Sequence, residues 1–572
     1  MNVIFSLSFK GLYNDDRWDT IGNDSTWILS SAFMILTMQS GFALLEVGYA
    51  NPRNTTSVLM KNVVDVVVGG LAFWMCGFAF AFGNGNPFCG TNGFLLEPGP
   101  GVKSGLIYAS FIFHFAYAST ATTIVSGAVA GRMKFNSYIM FSFFSSIFYG
   151  FPAHWVWARG GFLQQFGFFD FAGCGPVHLF GGCGALYGCL DVGARTGRFK
   201  PDGTRGTVLA VYDPFSVIGG FLIIWWGWIG FNCGSTFGSS GVKGTVACRI
   251  GATTVVSACA GGFFYLLKIF LPRHVENLRV SRLTRTSLGE MISAGRSSGN
   301  KRPVSMQTAI DIGKALKSAM EVENNQIRVD NFTNAIIASL VAITASCNCV
   351  NLRSAFLIGF FAPSIAHTIN EWTKYFGIDD PVGAIGVHGA CGIYGILSIG
   401  LYADPNLPGA LEYMPGLEKG IFLGGPFIGL GKQMVGTLAI IAWGMISSWM
   451  IFSYTGWLQG GNRVSLEVEL DGMDIHEHGY DLLLAKGSEV ETMARRRRGK
   501  RMTDVEVNEH QGVRNIMHGS SNSDQENEAI ENYAPDVIRN SEVSSGSFWD
   551  KIGFKSRNDD QVSLEVEMNA VH

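Results

Sequence analysis

Eleven apolar runs, each close to the length a helix needs to cross a bilayer, dominate this chain. They lie near 27–50, 62–83, 105–131, 136–157, 172–190, 212–233, 251–271, 333–350, 354–371, 383–402 and 433–457. A bilayer core takes about 20 apolar residues of helix, and only helices or closed barrels satisfy every backbone group there. Charged residues are 15% of the 572 and concentrate at 272–332 and after 462, which leaves the runs poor in ions. That pattern excludes an ordinary soluble domain. It predicts an all-α membrane protein of eleven transmembrane helices, packed closely through many of its 73 glycines. The expected divisions are an extracellular segment 1–26, helices one to seven over 27–271, a long cytoplasmic loop 272–332, helices eight to eleven over 333–461, and a largely disordered cytoplasmic tail 462–572.

Loop charge sets the orientation. Loops after odd-numbered runs carry most of the Lys and Arg, ten of them in 272–332 alone, whereas loops after even-numbered runs hold seven. The N-terminus is therefore expected outside and the tail inside. No cleavable signal peptide is evident, because the apolar stretch at 3–9 is short and has no basic start. Asn23, in Asn23-Asp24-Ser25, then falls outside as a candidate glycosylation site, whereas the sequons at Asn54 and Asn331 fall inside. The long loop is expected to carry a short amphipathic helix around 306–322. The tail's basic run RRRRGKR (495–501) suits either anionic lipid or plain solvation. Nothing points to nucleic acid. The eleven cysteines read mostly as small packing residues, with a Cys89–Cys248 disulfide open on spacing alone.

Two histidines interrupt the apolar pattern in matching frames. His178 ends DFAGCGPVH (170–178) and His388 ends DPVGAIGVH (380–388). Each lies eight residues after an aspartate, Asp170 or Asp380, and directly after a valine. Each frame has glycine three residues after the aspartate and four after the histidine. The two runs are the fifth and tenth, so they cross the membrane in opposite directions. Repeated frames on antiparallel spans are the mark of an inverted 5+5 repeat, with a site at the midplane. An ionisable group in a span is costly, hence a functional candidate.

Two facing imidazoles in an apolar tunnel are mostly neutral or share one proton. Such a pair can hydrogen-bond a small dehydrated solute or relay protons. A metal site is the rival. It needs further ligands, and Asp170 and Asp380 sit at opposite span ends. Trp157 closes the fourth run, Tyr117 lies midway in the third, and Phe231 and Ser235 lie near the outer end of the sixth. A ring face attracts a cation and a hydroxyl accepts an N–H bond, although an interfacial aromatic belt explains Trp157, Phe231 and Ser235 about equally well.

The stretches GFALLEVGYA (41–50), KN (61–62), DFAGCGPVH (170–178), GWIGFNCGS (227–235), LVAITA (340–345), DDPVGAIGVHGACG (379–392) and GMDIHEHGY (472–480) resemble the ammonium transporter (Amt/methylammonium permease/Rhesus) family, on its Amt side. The resemblance covers roughly 27–271 and 333–480. It implies eleven spans, an inverted repeat and a plasma-membrane homotrimer with one pore per subunit. The substrate would be ammonium or ammonia, with methylammonium as an analogue, and no cofactor or metal. It assigns the pore histidines to His178 and His388, the outer site to Trp157 and Ser235, and the gating rings to Tyr117 and Phe231. Asp170 takes a structural or electrostatic role beneath the outer site, Trp228 lines the pore, and Asp380 is the counterpart of Asp170. Three features depart from the family. Tyr117 replaces the usual phenylalanine, and its phenol is expected to wet or slow the gate. The loop at 272–332 is longer. His476 stands where plant relatives carry a regulatory threonine, which excludes phosphorylation there. Uptake of NH4+ with a co-moving proton, a neutral ammonia channel, and a sensor signalling through the tail all fit this reading.

Overall fold

The computed structural model describes residues 18–100, 104–200, 206, 208, 210–297 and 327–480, with backbone only at 18, 19 and 272–297. Among the described residues there are eleven long helical rods. They are α1 (Trp18–Tyr49), α2 (Pro52–Phe82), α3 (Ser104–Ala128), α4 (Phe135–Phe148 continuing as Gly150–Trp157), α5 (Cys174–Val192), α6 (Pro214–Gly234), α7 (Val242–Ser297), α8 (Val329–Thr344), α9 (Leu352–Tyr375), α10 (Ile385–Tyr402) and α11 (Phe427–Gln459). Seven are long and apolar enough to cross a membrane on length and composition alone. Of the other four, α8 is a shorter apolar helix and α3 is rich in buried hydroxyls. On α3, for example, Ser110, Ser119, Thr120, Thr122, Thr123 and Ser126 are all buried.

The two halves meet first through α1 and α6, the opening helices of the two repeats. A β-carbon on Gly41 would lie 2.9 Å from the Gly220 carbonyl oxygen. One on Gly220 would lie 2.4 Å from both the Gly41 carbonyl and the Leu45 nitrogen. Glycine on both sides therefore lets two backbones touch, the usual basis of tight packing between membrane helices. Local caps set where rods begin. The Asp213 side chain accepts the Phe215 N–H at 3.0 Å before Pro214 opens α6, and Asn351 accepts the Ser354 N–H at 2.9 Å at the start of α9.

Several boundaries differ from the expected ones. Helix α1 begins at Trp18, so exposed Asn23 lies within a helix, not in a free segment. Its neighbour Asp24 is fully buried and ion-paired to Lys243 at 2.5 Å, while accepting the Ser239 and Ser240 N–H groups at 3.0 Å. Helix α7 runs 56 residues, to Ser297, well into the stretch read as loop. At 1.5 Å per residue that is about 84 Å, far more than a bilayer needs. The amphipathic helix expected at 306–322 and the basic run at 495–501 lie outside the described residues. All eleven cysteines are free thiols, so Cys89 and Cys248 are unbridged.

The first part of the tail is ordered. Two short helices, Leu466–Asp471 and Met473–His478, dock on the ends of α2 and α4. Asp474 accepts the Thr56 and Ser57 N–H groups at 2.9 and 2.8 Å. Glu477 accepts the Phe135 N–H at 2.8 Å, and the Asn54 side chain accepts the Met473 N–H at 2.9 Å. Asn54 is thereby buried, and exposed His476 pairs with Asp471 at 3.2 Å.

Candidate functional site

The repeated frames fold into the same local device twice. Asp170 turns its carboxylate onto the opening of α5, accepting the N–H groups of Gly173 (2.8 Å), Cys174 (3.1 Å) and Gly175 (2.6 Å). Asp380 does the same for α10, accepting from Gly383 (3.0 Å) and Ile385 (2.8 Å). The first N–H groups of a helix have no intrahelical partner, and in a membrane interior they need one. A carboxylate also complements the positive helix end. Gly173 and Gly383 sit at φ +105° and +78°, a conformation in which a side chain is strained. Each helix then opens with a π turn, Cys174–Leu179 and Ile385–Ala390, which carries the histidine in its last positions.

The second glycine of each frame brings the devices together. A β-carbon on Gly182 would sit 2.4 Å from the Gly389 α-carbon, and one on Gly392 would sit 3.1 Å from the Leu179 nitrogen. The two π turns therefore abut, and the imidazoles meet. Nδ1 of His178 lies 3.2 Å from Nδ1 of His388, with ring planes 24° apart. His178 also stacks on Trp228, centroids 4.9 Å apart and planes within 8°. Trp228 is fixed in turn by its Nε1–H donating to Thr344 Oγ1 at 3.0 Å.

A contact between two Nδ1 atoms restricts the tautomers. One Nδ1 carries the proton and the other accepts. In the neutral pair, the donor ring then has a lone pair on Nε2, and the acceptor ring has its hydrogen on Nε2. The pair thus presents an acceptor at one end and a donor at the other, which is a chain able to pass a proton. Nε2 of His178 has no partner among the described residues.

Tyr117 and Phe231 lie against one side of the pair. Their rings stack at 3.9 Å, 9° from parallel, with Phe231 5.6 Å from His178. The Tyr117 phenol does not hang free. It donates to the Phe231 carbonyl at 2.8 Å and shares a 2.7 Å hydrogen bond with Ser235 Oγ, which itself reaches the same carbonyl at 3.0 Å.

Beyond this stack lies a cavity of about 110 Å³ lined by Tyr117, Trp157, Asp170, Ser235, Phe237 and His114. The Trp157 indole N–H donates to the Asp170 carbonyl at 2.8 Å, so the wall of the cavity and the cap of α5 are one unit. His114 is a residue that sequence reading passed over. It is buried against Phe82, Trp157 and Phe237, and neither ring nitrogen has a hydrogen bond among the described residues. A lone histidine on an apolar helix gives no signal of its own, and only the fold shows that it borders this cavity.

On the other side of the pair, His388 borders a small cavity of about 20 Å³ with Phe42, Glu46, Thr123, Asn334 and Val382. That volume holds about one water. Asn334 and Val382 also line a larger cavity of about 340 Å³, whose walls include Arg195, Lys268, Asp330, His367 and Asp380. The sequence-predicted residues thus form a chain of contacts: Trp157 and Ser235 touch Tyr117, Tyr117 stacks on Phe231, Phe231 approaches His178, and His178 meets Trp228 and His388. Asp170 and Asp380 support the two ends. Among the described residues, no three His, Cys, Asp or Glu converge as a metal site would require.

Outside the membrane-spanning segments, Asp379 ties the loop before α10 to the loop after α5. Arg195 grips it in two places, Nε to Oδ2 at 2.7 Å and Nη2 to Oδ1 at 2.9 Å, with Arg198 at 3.1 Å. Burial alone would raise this carboxyl, but the hydrogen bonds and charge of Arg195, with Arg132 nearby, hold it well below the usual carboxylate range.

The sequence matches the profile of the Ammonium Transporter Family over residues 26–275 and 300–481. It is 31% identical to "Ammonium transporter 1 member 3" of Solanum lycopersicum over 81% of this chain and 94% of that one. It is 33% identical to "Ammonium transporter Amt2" of Archaeoglobus fulgidus over 80% of this chain and 87% of that one. "Putative ammonium transporter 3" of Caenorhabditis elegans is 31% identical over 80% of this chain, which spans 60% of that protein's length. Among solved structures, the "Sensor Amt Protein" superposes with a TM-score of 0.64 at 27% identity, covering 80% of this chain and 99% of that one. Mep2 of Candida albicans shares the fold, with a TM-score of 0.61 at 21% identity over 78% of this chain and 87% of that one.

Proposed function

The chain belongs to the ammonium transporter family, and on that premise we propose how its pore moves ammonium. The Trp157 vestibule faces outside and the Asp380 vestibule faces the cytoplasm, as the loop charges predict. Ammonium is recruited in the 110 Å³ cavity. The Trp157 face attracts the cation, by up to ~2 kcal/mol where water is excluded. Ser235 accepts one of its N–H bonds. Moving a bare cation past the stack and the apolar pore costs far more than that attraction returns, so the ion gives up its proton. Ammonia then slips past Tyr117 and Phe231 when the rings part, and exchanges hydrogen bonds with the histidine pair. The 3.2 Å contact between the two Nδ1 atoms, in a stretch sealed between two cavities, carries this reading. It supplies a polar contact directly behind the stacked Tyr117 and Phe231 rings.

The test is ammonium-dependent uptake and current in a heterologous membrane. His178→Ala or His388→Ala is expected to abolish both, and intact uptake in both variants would overturn the assignment. A homotrimer in the plasma membrane, and a glycan on Asn23, complete the reading. Native mass in detergent and an endoglycosidase mobility shift test these. A signalling role is the second reading, favoured by the docking of 466–478 on the ends of α2 and α4. A chain truncated after Tyr480 that keeps uptake but loses a downstream response would support it.

A further inference from the structure

The histidine pair accounts for the middle of the pore, but one ionisable side chain beside it has no role in that account. Glu46 lies on α1 and is 3% exposed. Its Oε2 accepts the Asn62 side-chain N–H at 2.9 Å and the Ser126 hydroxyl at 2.7 Å. Its Oε1 takes no hydrogen bond among the described residues, and the residue lines the small cavity that His388 borders. A carboxyl inside a span, with no ion pair among the described residues, is costly to bury. Packing alone would be served better by an apolar side chain.

The surroundings suit a group that alternates between carboxylate and carboxylic acid. The titratable neighbours are Lys61 and Asp65 from α2, Tyr138 from α4 and His388 from α10. Helix α3 contributes Thr123 and Ser126, and α8 contributes Asn334, none of which titrates near neutrality. Lys61 does not neutralise Glu46 directly, since its Nζ donates to the Met133 carbonyl at 3.0 Å. Thr123 binds Asp65 Oδ2 at 2.7 Å, and Tyr138 binds the same oxygen at 2.8 Å. Asp65 is thus held on the far side of Thr123, whereas Glu46 alone among these carboxyls lines the cavity.

We propose that Glu46 is the proton-carrying carboxyl on the inner side of the histidine pair, taking the proton that His388 releases and passing it to the inner vestibule. The inference rests on the transport reading above and decides between its two forms. The proton shed by ammonium passes through water to the unpartnered Nε2 of His178, the shared proton shifts across the Nδ1–Nδ1 contact, an N–H bond of His388 then breaks, and an O–H bond forms on Glu46 through one water in the small cavity. The Glu46 O–H then breaks, and its proton joins water or the ammonia emerging past Asn334 and Val382, which re-forms ammonium. One positive charge therefore crosses with each ammonia, and transport is electrogenic.

The experiment uses the full chain in liposomes, with ammonium-driven current and entry of 15N-labelled ammonia above that of empty liposomes measured on the same preparation. Glu46→Gln keeps the shape and an acceptor oxygen but cannot carry the proton. Its current is expected to fall about tenfold or more, while its ammonia flux stays close to wild type. Glu46→Asp is expected to restore part of the current. Wild-type current in Glu46→Gln would overturn the proposal, and so would equal loss of current and ammonia flux. If Glu46→Gln does not fold, Glu46→Asp serves alone: its current should fall more than its ammonia flux, and equal falls overturn the proposal. Wild-type protein that passes ammonia without current sinks this inference and leaves the transport reading standing. Protein that does neither sinks the transport reading itself.

Discussion

The Tyr117 phenol shows how one oxygen would change the proposed gate. A phenylalanine at this position would stack on Phe231 through its face alone. The tyrosine adds a hydroxyl that ties the stack to the Phe231 carbonyl and to Ser235. That latch holds the closed arrangement and engages the hydroxyl proposed to receive ammonium. A hydrogen bond of this kind contributes about 1 kcal/mol net, so Tyr117→Phe is expected to raise turnover up to about fivefold. Uptake rates over a range of ammonium concentrations check this, and unchanged turnover would remove the phenol from the gate. The expectation that the phenol wets the pore needed a free hydroxyl, and the fold supplies partners instead. Residue type and position were legible in FHFAYAST (113–120), but the hydrogen-bond partners were not, because Phe231 and Ser235 come from a helix more than a hundred residues away.

At the scale of elements, α5 and α10 owe their starts to two aspartates and their contact to small residues. Asp170→Ala would leave three N–H groups unpaired, at roughly 1–3 kcal/mol each. Asp380→Ala would leave two. Thermal melting in detergent should show both destabilised, Asp170→Ala more. A reversed order would mean the caps are not equivalent in kind. Gly182→Ala places a methyl 2.4 Å from the Gly389 backbone, which must push the π turns and their histidines apart. Transport should be lost. Gly219→Ala, where nothing lies within 4 Å, should leave transport and melting unchanged. Loss of transport in both variants alike would sink the close-approach argument. The repeated D-x-x-G…H-x-x-x-G spacing made these two elements legible in advance, because cap, turn and contact all act within a dozen residues. The extent of α7 and the order in 466–478 were not legible. Polar composition reads as loop unless a partner surface is known.

Across the whole molecule, Asp379 and the docked tail join loops that the sequence leaves far apart. The Asp379 carboxyl is held low by Arg195 and its neighbours. A group whose folded pKa is depressed contributes stability above its unfolded value, near 3.9 for aspartate, and loses it as pH falls toward the folded value. Melting temperature in detergent should therefore drop more steeply below about pH 4 in wild type than in Asp379→Asn, which is less stable at neutral pH. Identical profiles would show that the cluster carries no net stability.

The apolar runs, the loop charges and the twin frames were enough to determine an eleven-helix membrane protein, and to predict its orientation and a pair of candidate histidines at its middle. Those features follow from bilayer thickness and from caps and turns that act locally, so they are written in consecutive residues. Tertiary structure alone decided that the imidazoles meet through Nδ1, that Tyr117 is latched to Ser235, that His114 borders the vestibule, and that Glu46 shares a cavity with His388. Each of those depends on the approach of helices distant in sequence, where a few tenths of an ångström separate a hydrogen bond from none. Composition and spacing carry no record of that distance.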